Sequence, residues 1–243
     1  MSMPATEPMP LPRRFYREAT IAETEGGWQI ALDGKTLKTP LKRPLIIASQ
    51  ALAEAVCAEW NGVGAHINPA LMPLMRMLTI ARDLVPDQRP LLEEELVRYA
   101  STDLLCYRDE GLHDEGAFRT RQEAAYTPVL EWAMSQGITL RVTQGIMPVS
   151  QPEVSLAAVA RMANACRDEE LAALALIVPE LGSAVLALAL RAGAISVEQA
   201  IACARLDDCL QEERYGLDPV VHAAWGDKTR DITAAAFVFI QFS

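Results

Sequence analysis

The hydrophobic pattern shifts from period two in the first part of this chain to a mainly helical period in the rest, and that shift constrains the fold more than any other feature. Across residues 15–47, Phe15, Arg17, Ala19 and Ile21 alternate against Tyr16, Glu18 and Thr20, and Trp28, Ile30 and Leu32 then fall on one face. Period two is the signature of a strand, whose successive side chains point to opposite faces. Glu25-Gly26-Gly27 separates the first two runs, and Asp33-Gly34 leaves only two residues between 30–32 and 35–37. A two-residue Asp-Gly link is the strongest short hairpin signal, because both positions tolerate positive φ. A small antiparallel β-meander is expected.

Ser49 reads as the N-cap of a helix striped by Leu52, Ala55, Val56 and Trp60, with Asn61-Gly62 as a left-handed stop. After Pro73 helical period dominates, over 74–85, 90–107, 115–135, 156–167, 169–178, 181–192, 197–214 and from 219 onward. One extended stretch interrupts it, 139–149, where Leu140-Arg141-Val142 is expected as a strand able to rejoin the N-terminal sheet. The expected class is α+β. It comprises a flexible Pro-rich tail over 1–13, a small antiparallel β-rich domain with one helix over 14–70, and a larger multihelical domain over 71–243.

The chemistry of the chain narrows its partners. A formal net charge of −10 repels a phosphate backbone, which argues against nucleic acid. The most apolar stretch, 171–190, is cut by Pro179-Glu180 and Gly182 into halves shorter than the roughly 20 residues a membrane span needs. No membrane insertion is expected. Cys57, Cys106, Cys166, Cys203 and Cys209 are odd in number and form no C-x-x-C pair, so they read as reduced thiols in a cytosol-like compartment. The N-terminus lacks the basic and apolar regions of a secretory signal and the arginines of a mitochondrial presequence.

Enzyme motifs do not emerge. His66, His113 and His222 lie far apart, with no cysteine at ligand spacing, so neither a metal site nor a cofactor is expected. Asp33-Gly34-Lys35-Thr36 resembles the end of a phosphate-binding loop, but Gln29 stands where its first glycine belongs. Glu93-Glu94-Glu95, Asp207-Asp208 and Glu212-Glu213 are adjacent carboxylates, which point about 100° apart on a helix and do not converge by themselves. Met72, Met75 and Met77 fit a core stripe better than an adaptable binding surface. The one enzymatic alternative uses Tyr99, Asp103 and Tyr107, whose spacing of four would place them on one helix face as a hydrogen-bonded ladder.

A series of segments in order resembles the ATP synthase F1 assembly chaperones specific for the α subunit, in their mitochondrial and bacterial forms. Arg14-Phe15-Tyr16 and the run from Trp28 to Pro40 (WQIALDGKTLKTP) match that family's N-terminal strand, hairpin and T-P turn; Ala58-Glu59-Trp60 ends the first helix as it does there. Met72-Pro73-Leu74 with Asp83, the run from Tyr99 to Arg108 (YASTDLLCYR), Gln122 to Trp132, Gly145-Ile146-Met147-Pro148-Val149 and Leu181-Gly182-Ser183 continue the match. The chain departs at Tyr126-Thr127-Pro128, where the family has W-D-P, and at Tyr215-Gly216, where it has W-G. Pro219 and Val220 replace an expected acidic residue.

The resemblance implies a non-enzymatic chaperone, monomeric when free, that binds the free α subunit and shields its β-subunit interface until the hexamer forms. It implies a bacterial cytoplasm, or the mitochondrial matrix for a processed eukaryotic chain. A scaffold for a different client is the other alternative. Asp207, Glu212, Glu213, Tyr215 and Asp218 are the expected partner-binding residues, because tyrosine rimmed by charge is common at interfaces.

Overall fold

The computed structural model describes residues 10–111 and 116–242; of the expectations above, most of the tail, His113 and Glu115 lie outside them. By internal contacts the chain falls into two compact units, one ending at Arg76 and the other beginning at Met77.

In the first unit β1 (Ala19–Thr24), β2 (Gly27–Leu32) and the two-residue β3 (Lys35–Thr36) form an antiparallel sheet in that order. Asp33 (φ 47°) and Gly34 (φ 79°) make the β2–β3 turn, as their sequence requires. The Asp33 carboxylate also accepts from the backbone N–H groups of Arg17 and Glu18 at 3.0 Å, and these bonds lower its pKa. Strand pairing therefore begins at Ala19 rather than at Phe15. Phe15 is left exposed, while Tyr16 is buried and donates its hydroxyl to the Trp60 carbonyl at 2.5 Å.

Helix α1 (Gln50–Asn61) starts where expected: the Ser49 hydroxyl accepts from the Leu52 N–H at 3.2 Å, and Leu52, Ala53, Val56 and Trp60 are buried. Its end differs from expectation. Gly62 is right-handed (φ −73°), and the Asn61 side chain instead clamps the Ala19 backbone by two bonds of 2.8 Å, tying the helix to β1.

The second unit takes up most of α2 (Pro73–Asp83) and then α3 (Val85–Ser101), α4 (Ala117–Ser135), α5 (Glu153–Asn164), α6 (Asp168–Leu181), α7 (Ala184–Arg191), α8 (Val197–Ala204), α9 (Leu206–Tyr215) and α10 (Pro219–Ile240). Helix α7 is the hub: it packs against α3, α4, α6, α8 and α10, and every residue from Ala184 to Leu190 is buried. Met72, Met75 and Met77 are buried too, so they offer no adaptable surface. Among the described residues, no helix is long and apolar enough to cross a membrane.

Four expectations are corrected here. The helix over 90–107 stops at Ser101, because Asp103 turns its carboxylate to the Leu105 N–H and starts a 3-10 turn over Leu104–Cys106. The helix over 197–214 breaks at Arg205, which closes α8 and opens α9. Helix α6 runs through Pro179 and ends at Gly182, whose left-handed φ of 64° is what stops it; a proline in the last turn removes only one hydrogen bond. The extended segment does not rejoin the sheet. Its β5 (Thr143–Gln144) pairs in parallel with β4 (Tyr107–Arg108), while the buried Gln151 side chain satisfies both the N–H (2.7 Å) and the C=O (3.0 Å) of Arg141 in place of a neighbouring strand.

Candidate functional site

Helix α9 carries the expected partner-binding residues, and no residue of it is buried. Four side-chain contacts hold it. Arg205 pairs with Glu212 at 2.7 and 2.8 Å, and Arg121 of α4 pairs with Glu213 at 2.7 and 2.9 Å. Gln122 reaches Asp207 at 3.5 Å, and the Trp225 indole of α10 donates to Asp208 at 2.7 Å. Glu212 and Glu213 are therefore neutralised within the molecule, which the run of acidic letters does not reveal. The Arg121 bonds hold the Glu213 carboxyl below the usual carboxylate range.

The corner between α9 and α10 is different. Tyr215 is 81% exposed, and Leu217 and Val220 are 58% and 77% exposed. Asp218 caps α10, accepting from the Val220 N–H at 2.8 Å, so the corner is set by its own backbone rather than by packing. Three large apolar side chains within six residues of surface cost solvation unless something covers them. Tyr215 was legible as a candidate; Leu217 and Val220 were not, since an apolar letter in a helical stretch reads first as core.

Asp207 lies at the other end of α9, lining an open cleft with Arg108, Asp109, Glu110, Phe118, Gln122 and Ile146. Its carboxyl pKa is raised, first by desolvation and then by the nearby charges of Asp208 and Asp109. The pairing of β4 with β5 assembles this cleft by bringing two segments 36 residues apart, starting at Tyr107 and Thr143, side by side. Sequence reasoning singled out both segments for their resemblance and missed that they meet.

The alternative of Tyr99, Asp103 and Tyr107 on one helix face is not found. Tyr99 is in α3, Tyr107 is in β4, and Asp103 between them is fully buried. Asp103 accepts from the Leu105 and Val185 N–H groups, both at 3.1 Å, and so joins the chain after α3 to the start of α7. Burial pushes its pKa up to about 6 against the opposing effect of those donors and Ser183. It is a structural clasp with its acceptors filled. Tyr126, where the family resemblance expects tryptophan, is buried under the Arg108 guanidinium, 4.9 Å from its ring centre, and keeps the aromatic packing role.

A family model described as ATP12 chaperone protein matches residues 13–134. The chain belongs to the ATP12 chaperone family. These are the F1 assembly chaperones that the ordered segments resemble. Solved relatives extend the likeness over nearly the whole fold. Atp12 of Paracoccus denitrificans is 33% identical, with 96% of this chain and 99% of that one covered and a TM-score of 0.83. A chaperone-class protein of Agrobacterium tumefaciens is 36% identical, with 96% and 87% covered and a TM-score of 0.87. The mitochondrial atp12 protein of Schizosaccharomyces pombe is 23% identical over 88% of this chain and 78% of its own length. ATP12 relatives thus come from both bacteria and mitochondria, the two settings named from the sequence.

Proposed function

We propose that the protein binds the free α subunit of F1 ATP synthase and shields its β-subunit interface until the hexamer assembles, acting without catalysis and as a monomer when free. The observation that carries the reading, beside membership of the ATP12 family, is the uncovered corner of Tyr215, Leu217 and Val220, where α9, a helix with no buried residue, gives way to α10. An isolated α subunit exposes an obligate interface, a class that typically runs to 2,000 Å² or more and is apolar. A partner for it needs apolar anchors already in water, and exposed tyrosine is among the most effective. Glu212, Glu213 and Asp218 then form the charged rim of the corner, and Asp207 offers a second contact at the other end of α9. Glu213 and Arg121 form an exposed pair, which water already weakens, so either member can turn to a client at little cost.

Capture is tested by co-expressing the protein with the α subunit and asking whether α becomes soluble and co-purifies. Adding the β subunit is expected to release α; stable retention of α and β together would overturn displacement. Replacing Tyr215 and Val220 together by serine is expected to abolish capture while leaving the urea midpoint unchanged. Undiminished capture by that variant would remove the corner from the binding surface. These positions separate binding from folding better than Glu212 and Glu213, whose reversal also breaks internal pairs.

A further inference from the structure

A group of carboxylates without ion pairs lies in the cleft at the start of α9. The cleft has a volume of about 390 Å³ and brings together Asp109, Glu110 and Asp207. Among the described residues none of the three forms an ion pair, whereas Glu212 and Glu213 each have an arginine. Arg108, which also lines the cleft, does not pair with them: its Nη1 donates to the carbonyls of Leu105 (2.8 Å) and Tyr107 (2.9 Å), and its guanidinium lies over the Tyr126 ring. The Glu110 carboxylate is held close to the β5 turn, since a Cβ on Gly145 would lie 2.5 Å from its Oε1, and Gly145 also has a positive φ of 77°. Only glycine meets both conditions at that position.

Phe118 and Ile146 supply an apolar wall, and the turn after β5 pushes two aliphatic side chains into water: Ile146 is 91% and Met147 is 73% exposed. We infer that this cleft docks an arginine or lysine side chain of the client polypeptide, with the aliphatic residues flanking that side chain packing on Ile146 and Met147. The choice of occupant follows from charge and shape. An anion is repelled by three carboxylates, and no three of the described ligand-type side chains converge closely enough to hold a metal ion. A long basic side chain fits both parts of the site, laying its methylene stem on Phe118 and Ile146 and its charged head among the carboxylates.

The identity of the client rests on the proposed function, so the test has two arms. In the first, the triple variant Asp109→Asn, Glu110→Gln, Asp207→Asn and the single variant Ile146→Ser are compared with the native chain for capture of the F1 α subunit. Both are expected to need about tenfold more protein for equal capture, the range in which close interfacial charge pairs act. Ile146 is too exposed for its loss to unfold the protein. Equal capture by all three proteins overturns the cleft and leaves the proposed function standing. In the second arm, the peptide acetyl-Leu-Arg-Leu-amide is titrated into the native chain while the amide resonances of Gly145 and Ile146 are followed. Shifts that are absent in the triple variant, and absent with acetyl-Leu-Glu-Leu-amide, uphold the cleft even if α is not captured. No shifts in the native chain overturn it.

Discussion

Helices α7 and α9, of eight and ten residues and separated in sequence only by α8, could hardly be used more differently. Every residue of α7 from Ala184 to Leu190 is buried, whereas α9 buries none and is held by ion pairs and single hydrogen bonds. The buried core and the exposed, charge-held surface are thereby placed on separate elements. Dense apolar packing resists change, because lost volume is not refilled, while a helix held at its edges can change its surface at little cost to the fold.

The largest effect that can break this comparison is in α7. Leu186→Ala is expected to lower unfolding free energy by about 2–5 kcal/mol, read as a drop in the urea midpoint, because the site is fully enclosed. A loss below about 1 kcal/mol would mean that α7 is not the hub. Asp103→Ala leaves the Leu105 and Val185 N–H groups without their acceptor and is expected to cost about 2–3 kcal/mol.

The same clasp gives a pH dependence whose sign is fixed. Burial raises the Asp103 pKa from 3.8 to about 6, so the folded state binds its proton more tightly than the unfolded one. The contribution is complete below pH 3.8 and is lost as pH rises through about 6. The stability advantage of the native chain over Asp103→Asn is therefore expected to shrink as pH rises from 3.8 to about 6. A constant difference across that range would show that Asp103 stays ionised.

In α9 the expected effects move from folding to binding. Tyr215→Ala should change stability by less than about 0.5 kcal/mol yet weaken α-subunit capture about tenfold. A loss of stability large enough to account for the weaker capture would show that Tyr215 supports the fold rather than the contact. Smallest of all is Arg121→Gln, which removes the partner of Glu213 and is expected to leave the urea midpoint where it was. A clear destabilisation there would show that α9 is stapled more firmly than its lack of buried residues suggests.

The parts of the molecule that sequence made legible are those governed by local chemistry. Asp33-Gly34 dictates its turn, Ser49 its cap, and the shift from period two to helical period separates the sheet from the helices. What stayed hidden depends on distant partners. Asp103, which turns the chain out of α3 through the Leu105 N–H, is also held by the Val185 N–H, 82 residues away, and the 139–149 segment finds its strand partner in β4, 36 residues before β5. At the site, Tyr215 could be picked out by residue type. The neutralisation of Glu213 could not, since Arg121 is 92 residues away; the partner of Glu212, Arg205, is only seven residues away but across the break between α8 and α9.

The bond from the Trp225 indole to Asp208 gives the protein an optical gauge of its own. Trp225 is buried in α10, and its polar edge is fastened to α9. Any client that shifts α9 must change the surroundings of that ring, so its intrinsic fluorescence reports engagement of the exposed helix without a label.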